Sequence, residues 1–430
     1  MTNNRRNFLK IAGIAGIGVA GAGVLNGLSK EKELQPGTIE PSSDSENPDQ
    51  SKQSIIGLYG PWAYSLIENK IPTFSFRNKK WQNVEKWRRS ARGRLLEQLA
   101  IPDIGDVPQV TVKKQYNYDG LHIEELSWQL PYGRPTEAIL LKPQNASGPL
   151  PAILAFHDHA ANKYFGKSKI TRTSDKRHPL IESHQKEYYS DLAWANEIAK
   201  RGYVVLVSDA FLFASRRVML QDVPAQMRKG LNDENPDDLN NIKSYNIWAA
   251  EHEHVMAKSL FSAGTTWPGV FLAEDQKALD VLCARPDVDP SRVGCGGLSG
   301  GGIRTVFMGG VDPRIKCAVC MGFMTNWKDL ILNKSYTHTW MTYVPGTPND
   351  LDFPEILGLR APLPTLVLNN INDGLFTLSE MKASDITLAE VYKKAGAETN
   401  YKCSFHPGPH KFDKNMQNEA FDWFDQWLKG

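Results

Sequence analysis

The segment Val293-Gly294-Cys295-Gly296-Gly297-Leu298-Ser299-Gly300-Gly301 carries more structural information than any other in the chain. Its first residues are typical of a short buried strand, and residues 300–308 favour a helix. Ser299 therefore falls on a tight turn between a strand and a helix, where bulky neighbours would clash with adjacent strands. Such a turn raises the hydroxyl above the carboxyl edge of a sheet, at the start of the following helix. This arrangement predicts that Ser299 is a nucleophile.

Two alternatives exist for this glycine-rich segment. Gly294, Gly296 and Ser299 form a broken G-x-G-x-x-G, the pattern of a dinucleotide-binding loop. A true fingerprint opens the first βαβ unit of its domain and is followed by an acid that binds the ribose. This segment instead comes late in the series of predicted strands. The second alternative is a loop that only turns the chain, and the strand-to-helix placement favours the nucleophile over both.

Buried strands alternate with amphipathic helices on both sides of this segment. The predicted strands are residues 152–156, 203–207, 293–295, 315–320, 365–368 and 400–405. The predicted helices are residues 193–200, 275–283, 300–308, 379–395 and 412–428. Continuous apolar runs alternating with helices indicate a mostly parallel sheet that is covered on both faces. We therefore expect an α/β fold over residues 106–430.

Three strands of another kind precede this region, at about residues 110–118, 122–129 and 137–141, and Asp119-Gly120 marks the turn between the first two. Residues 55–105 are aromatic and helical in pattern. We interpret them as an N-terminal helical subdomain packed on the core rather than an aromatic platform for nucleic acid, because Trp81, Val84 and Trp87 would share one helix face.

The N-terminus Asn4-Arg5-Arg6-Asn7-Phe8-Leu9-Lys10, followed by a weakly apolar run over residues 11–28, resembles a twin-arginine export signal. A short membrane helix is the alternative. Residues 1–29 are thus predicted to be a signal recognised by the twin-arginine translocase, and the polar residues 30–54 a disordered linker. The protein is then expected in the periplasm or outside the cell, and an uncleaved signal would tether it to the membrane.

Charge and cysteine content exclude two classes of protein. The 430 residues include 50 Lys and Arg and 48 Asp and Glu, for a net charge of +2. A dedicated nucleic-acid binder needs a basic surface, so we predict no nucleic-acid partner. Five cysteines are too few, and odd in number, for a disulfide scaffold. Cys317-Ala318-Val319-Cys320 lies in a buried run, where the two thiols would point to opposite faces.

A nucleophilic serine needs a base, and the base needs an acid to orient it. On this type of turn the acid and the histidine follow the serine along the chain. Asp373 lies in the loop after the predicted strand 365–368, and His410 lies between the last strand and the last helix. We therefore predict the triad Ser299, Asp373 and His410, with His406 as a weaker alternative base.

The oxyanion formed on an attacked carbonyl needs two N–H donors. Gly300, directly after the nucleophile, is the first predicted donor. The second is expected from the loop after strand 152–156, where Asp158 and His159 are both candidates.

Two segments, His157-Asp158-His159 and His252-Glu253-His254, raise the alternative of a metal site. Zinc ligands on a helix are spaced i, i+4, which neither segment has. Residues i and i+2 of a strand do share a face, so this spacing does not eliminate a metal. We nevertheless predict no metal and no cofactor.

Several segments together resemble the α/β-hydrolase superfamily, and more closely its bacterial dienelactone-hydrolase-related and acetyl-xylan-esterase-like group. The resemblance covers roughly residue 55 to the C-terminus. The segments that carry it include Tyr59-Gly60-Pro61-Trp62, His157-Asp158-His159, Arg285-Pro286-Asp287, Gly297 to Arg304 and Met324-Thr325-Asn326-Trp327. The usual family loop reads His-Gly-x-Gly, whereas Asp158 and Ala160 stand at the glycine positions here.

The resemblance implies a serine hydrolase that cleaves carboxylic esters through an acyl-enzyme, on a small-molecule or polysaccharide substrate, with acylated carbohydrate favoured. Residues 210–269 would form an inserted cap over the site. His157, Arg304 and Trp267 are candidate substrate-binding residues, although a salt bridge to a neighbouring acid is the stronger interpretation of Arg304.

Two other functions fit the same residues. A serine peptidase shares the triad but normally brings a propeller or a pocket for an amine terminus, and the sequence has no propeller repeat. A non-catalytic carbohydrate-binding homologue would keep the fold without activity, and the presence of Ser299, Asp373 and His410 argues against it.

Overall fold

The computed structural model describes residues 54–67 and 71–430, in which nine strands form one sheet. The predicted signal and residues 30–53 of the predicted linker lie outside the described residues. The strands are β1 (Val110–Tyr118), β2 (Leu121–Trp128), β3 (Thr136–Pro143), β4 (Leu150–Phe156), β5 (Val204–Ser208), β6 (Val288–Leu298), β7 (Ile315–Met321), β8 (Thr365–Asn370) and β9 (Tyr401–His406).

The strand order places a crevice in the middle of the sheet. It runs β1-β2-β3-β5-β4-β6-β7-β8-β9. The pairs β1–β2, β2–β3 and β3–β5 are antiparallel, and the remaining pairs, from β5–β4 to β8–β9, are parallel. The chain proceeds from β4 to β5 on one side and then crosses to β6 on the other. The loops after β4 and β6 therefore diverge and leave a crevice at their carboxyl ends, where ligands bind in open α/β sheets.

Helices cover both faces of this sheet. Those described are α1 (Tyr59–Ser65), α2 (Val84–Leu99), α3 (Pro179–Tyr189), α4 (Trp194–Lys200), α5 (Ala225–Arg228), α6 (Leu239–Ser262), α7 (Trp267–Cys283), α8 (Gly300–Val311), α9 (Trp327–Asp329), α10 (Phe353–Gly358), α11 (Leu378–Lys394) and α12 (Lys414–Leu428). No helix within residues 54–67 and 71–430 combines the length and the apolar character needed to cross a bilayer. The predicted parallel sheet with helices on both faces is confirmed.

Alternate residues of the central strands feed two separate cores. In β4, Leu154 and Phe156 pack with α7 and α8, whereas Ile153 and Ala155 pack with α4 and α12. This alternation follows from the two-residue period of a strand, and it explains why the parallel strands read as continuous apolar runs. In β7 the same alternation sends the Cys317 and Cys320 side chains to opposite cores, as predicted, and all five cysteines are free.

Some helix boundaries differ from those expected. Helix α7 begins at Trp267 rather than near residue 275. The Thr266 hydroxyl accepts a hydrogen bond from the Gly269 N–H at 3.0 Å, and Pro268 occupies the first turn, where its missing N–H costs nothing. The capping residue therefore extends the helix by two turns. Helices α3, α6 and α10 were not predicted.

Two glycines in helices are expected to respond oppositely to alanine. A methyl group at Gly310 in α8 would lie 2.2 Å from the Ile356 carbonyl oxygen, so Gly310→Ala should lower the free energy of unfolding by about 1–3 kcal/mol. Gly93 in α2 is exposed with nothing within 4 Å, so Gly93→Ala should raise it by about 0.5–1 kcal/mol. Urea unfolding measures both, and unchanged stability in Gly310→Ala would contradict the close approach of α8 to α10.

Candidate active site

Ser299 occupies a strained turn between β6 and α8. Its φ is 59° and its ψ is −113°, and its N–H donates to the Met321 carbonyl at 2.8 Å. A methyl group at Gly297 or Gly301 would lie 2.4 or 2.5 Å from the Phe156 carbonyl oxygen. The end of β4 therefore passes directly against the turn, and glycine is required on both sides of the serine. Backbone in this region costs about 1–3 kcal/mol for a residue with a side chain, so the surrounding structure has to hold it.

His410 and Asp373 meet from two neighbouring loops. The His410 Nδ1 lies 2.6 Å from Asp373 Oδ2, and Asp373 Oδ1 accepts the Leu375 N–H at 3.0 Å. Asp373 follows β8, and His410 lies between β9 and α12. Since β8 and β9 are parallel neighbours, both loops emerge at the same edge of the sheet. With Nδ1 donating to the carboxylate, Nε2 is the ring nitrogen left to accept a proton.

Ser299 and His410 line one cavity of about 540 Å³. Its walls include the loop after β4, α6, residues 336–339 and the loop after β8. The lining residues are Asp158, His159, Ala160, Ala161, Tyr188, Ala250, Glu253, Leu298, Ser299, Gly300, Ile303, Phe323, Tyr336, Thr337, His338, Thr339, Leu375, Phe376 and His410. The structure thus brings the predicted nucleophile and base to a common space at the crevice of the sheet.

The other two histidines after Ser299 lack the surroundings of a base. His406 pairs with Glu419 of α12 at 2.8 Å and does not line the cavity. His338 does line it, but its ring packs on Phe376, and burial lowers its pKa to about 4. Among the described residues, its Nε2 has no hydrogen-bond partner. The geometry therefore favours His410 over both.

The backbone of His159 lies against Gly300, next to Ser299. Gly300 is the first residue of α8, where N–H groups have no acceptor within the helix. A methyl group at Gly300 would lie 3.0 Å from the His159 backbone nitrogen. Across residues 54–67 and 71–430, no hydrogen bond engages this nitrogen. Two adjacent donors beside Ser299 can bind an oxyanion.

The Asp158 carboxylate is bonded to donors in the interior of the protein. Its Oδ2 accepts from His184 Nε2 at 3.0 Å and from the Tyr189 hydroxyl at 2.5 Å. Although burial raises the pKa of this carboxyl, His184 and Lys169 hold it well below its usual range. Asp158 is therefore an interior anchor for the loop, and of the two candidates for the second donor the geometry favours His159.

Two consecutive alanines in the loop after β4 have left-handed backbone. One of them, Ala160, stands where the family that this chain resembles has glycine. The φ angles of Ala160 and Ala161 are 40° and 47°. This region costs L-residues about 1–2 kcal/mol each, so contacts must hold the loop in place. Buried Lys169 supplies one such contact, because its ammonium donates to the carbonyls of Asp158 and His159 at 2.8 and 3.0 Å. Lys169 carried no signal in the sequence that marked this role.

None of the candidate substrate-binding residues His157, Arg304 and Trp267 lines this cavity. His157 is buried, donates to the Asp158 carbonyl and accepts the Ala210 N–H at 3.1 Å. Arg304 forms the expected salt bridge instead, a buried bidentate pair with Asp275 at 2.6 and 2.9 Å. Trp267 begins α7 and is buried in the main core. Each is used to pack or anchor an element.

Neither His-x-His segment gathers further ligands. Among the described residues, no three His, Cys, Asp or Glu side chains converge where they could hold a metal ion. His252 stacks on Trp248 with ring centroids 4.6 Å apart, and Glu253 accepts from His159 Nε2 at 2.7 Å.

Solved structures that resemble this one are esterases. A "putative acetyl xylan esterase" from Bacteroides fragilis superimposes with a TM-score of 0.60 at 17% identity, over 80% of this chain and 81% of that chain. A glucuronoyl esterase from Solibacter usitatus gives 0.55 at 14% identity, over 84% of this chain and 98% of that chain. The chain has the α/β-hydrolase fold. The predicted resemblance to α/β-hydrolases of the acetyl-xylan-esterase type is confirmed at the level of structure.

Sequence comparison agrees with this fold. "Putative hydrolase YtaP" of Bacillus subtilis (strain 168) is 25% identical over 344 residues, which cover 79% of this chain and 99% of that protein. No family model matches the chain. Together with the α/β-hydrolase fold, these likenesses support a hydrolase.

Gly322 lies against the His410 ring and was not singled out from the sequence. Its φ is 57°, and a methyl group there would lie 2.9 Å from His410 Cε1. Gly322→Ala should displace the imidazole and lower the rate on the generic probe 4-nitrophenyl acetate about 10²-fold, because small misplacements of a base cost that much. Gly374→Ala is the control, since Gly374 follows Asp373 directly and a methyl group there meets nothing within 4 Å. Equal rates in the two variants would show that the imidazole does not depend on Gly322.

Proposed function

We propose that the protein is an exported serine hydrolase that cleaves carboxylic esters, acetyl or similar esters on carbohydrate in particular, through an acyl-enzyme. The observation that carries the proposal is the cavity that Ser299 and His410 share, with His410 bonded to Asp373 at 2.6 Å. The paired N–H groups of Gly300 and His159 support it further, since acyl transfer generates an oxyanion next to the nucleophile.

The proposed reaction has two halves. His410 Nε2 takes the proton of the Ser299 hydroxyl as the oxygen attacks the ester carbonyl, and the carbonyl oxygen becomes an oxyanion held by the two N–H donors. The carbon–alkoxy bond then breaks, and His410 gives its proton to the departing alcohol. Water, deprotonated by His410, attacks the acyl-enzyme in the same way and releases the acid. Asp373 keeps the imidazole in the correct tautomer throughout.

The character of the cavity supports an uncharged, hydroxyl-rich substrate. Its lining within the described residues includes no Lys or Arg, and its two acids, Asp158 and Glu253, are both occupied by protein donors. Tyr188, Thr337 and Thr339 line it together with the aromatic residues Phe323 and Phe376. Tyr336 lines the same cavity with 69% of its surface exposed, which suits stacking against a sugar ring. The likeness to carbohydrate esterases agrees with this chemistry.

The proposed export rests on the sequence of residues 1–29, with the twin-arginine translocase as the transient partner. Export would place the enzyme in the periplasm or outside the cell, where polysaccharide esters are accessible. If the signal is retained, the enzyme would remain tethered to the membrane.

Replacing the nucleophile should abolish turnover. Ser299→Ala should lower kcat about 10⁶-fold, because the triad acts as a unit, and Asp373→Asn about 10⁴-fold, because the imidazole takes the wrong tautomer. A steady-state assay on 4-nitrophenyl acetate measures both. Ser291→Ala is the matched control, since Ser291 is exposed and bonds only to Asp289 nearby.

Labelling with a fluorophosphonate gives an independent reading, because only an activated serine reacts. Wild type and Ser291→Ala should be labelled and Ser299→Ala should not. An unlabelled wild type would favour the non-catalytic alternative, and labelling of Ser299→Ala would move the nucleophile elsewhere.

The role of Tyr336 can be separated from the chemistry. Tyr336→Ala should raise KM for an acetylated xylo-oligosaccharide roughly tenfold, because stacking on the ring would be lost, while the kinetics on 4-nitrophenyl acetate stay unchanged. Ile386→Ala, an exposed apolar residue on α11, is the control. A parallel loss on both substrates would mean that Tyr336 acts on the site itself and not on the sugar.

A further inference from the structure

We propose that Glu253, in the cap insertion, is the positioning residue for the second oxyanion donor, so that the cap is part of the catalytic machinery. Its carboxylate would hold the His159 ring and, through it, the His159 backbone N–H beside Gly300. The inference rests on the proposed function and assigns a role to the insertion that goes beyond shaping the pocket.

The Glu253 carboxylate gathers four donors from two other parts of the chain. Its Oε1 lies 2.7 Å from His159 Nε2 and 2.8 Å from Lys163 Nζ, both in the segment after β4. Its Oε2 accepts from the Thr339 hydroxyl at 2.7 Å and from the Trp340 N–H at 3.1 Å. Glu253 itself lies on α6 and is buried. One side chain therefore joins the cap, the oxyanion loop and the wall at residues 339–340.

The His159 ring is fixed at both nitrogens. Its Nδ1 accepts the Ala161 N–H at 3.0 Å, so the proton is on Nε2, which donates to Glu253. Burial lowers the pKa of this imidazole, which keeps it neutral. Because both of its nitrogens are hydrogen-bonded, the His159 ring restricts the movement of the His159 backbone. The bond to Glu253 ties this strained loop to α6.

The charges of this cluster balance inside the protein. Lys163 is buried against the rings of Phe213 and Trp267, with its ammonium 4.5 and 4.9 Å from the ring centroids. Burial raises the pKa of Glu253, but Lys163 and His159 outweigh it and hold the pKa below its usual value. The group is thus a carboxylate, which has the capacity to accept the three hydrogen bonds and to pair with Lys163. This cluster gives Trp267 and Glu253 a structural role in the interior.

A donor that acts on the oxyanion contributes in the transition state and little in the ground state. Loss of its positioning should therefore lower kcat and leave KM nearly unchanged. A residue that merely stabilised the cap, or that shaped the pocket, would change KM or unfolding instead.

The test is the variant Lys163→Met/Glu253→Met, which removes the anchor and leaves no unpaired ion in the interior. The matched control is Lys229→Met/Glu251→Met, because Glu251 lies on the same helix and pairs with Lys229 at 2.7 Å on the surface. On 4-nitrophenyl acetate the first variant should lose about 10²-fold in kcat, with KM within about twofold of wild type. The control should match wild type. A folded first variant with wild-type kcat overturns the proposal.

The variant His159→Phe removes the same hydrogen bond by replacing its donor. It is the test to use if Lys163→Met/Glu253→Met does not fold. It keeps the backbone N–H and the Lys163–Glu253 pair but cannot bond to Glu253. It should show the same fall in kcat at unchanged KM. Wild-type kcat in this variant overturns the proposal as well.

Amide hydrogen exchange tests the position of this loop without measuring turnover. The amides of residues 159–162 should exchange at least tenfold faster in Lys163→Met/Glu253→Met than in wild type or in the surface control. If wild type proves inactive on every ester, the proposed function fails while this measurement still decides whether Glu253 holds the loop. Unchanged exchange overturns the proposal.

Discussion

The close contact between the end of β4 and the turn at Ser299 is the constraint on which the site depends. The Phe156 carbonyl leaves no room for a side chain at Gly297 or Gly301, and the serine itself takes up left-handed backbone. Because β4 and β6 are neighbours at the point where the strand order reverses, this contact also brings the loop after β4 against the start of α8. The proposed nucleophile and both proposed N–H donors thus depend on one packing arrangement.

Some residues around that contact are proposed to react, and others hold the reacting residues in place. Asp158, Lys169 and Glu253 are buried charged groups that hold the loop after β4. Lys169 donates to two carbonyls of this loop and Glu253 accepts from its His159 ring, while Asp158, within the loop, accepts from α3. Burying an ion costs free energy unless its partners compensate it. Here the buried ions hold a loop that has alanines in left-handed conformation. We regard this as the reason the loop can depart from the glycine-rich pattern of the proteins it resembles.

The fold could be predicted from the sequence, and so could the candidates Ser299, Asp373 and His410. Chain order in a parallel sheet dictates which loops share an edge. The sequence did not show that Trp267 is buried in the main core, since proximity to the cap does not say which helix face a residue occupies, whereas the salt bridge favoured for Arg304 is present. Glu253 was seen only as part of a metal-like pattern. Its actual partner, His159, is 94 positions away, and no local periodicity connects the two.

The junction at Glu253 bears on how this enzyme could be altered. Insertions over an active site are commonly treated as exchangeable modules that can be grafted to change selectivity. In this chain α6 supplies a hydrogen-bond acceptor to the loop beside the nucleophile. Given the proposed role of Glu253, a transplanted segment without a carboxylate at that position would lower the activity of the recipient, however well it fitted the new ligand.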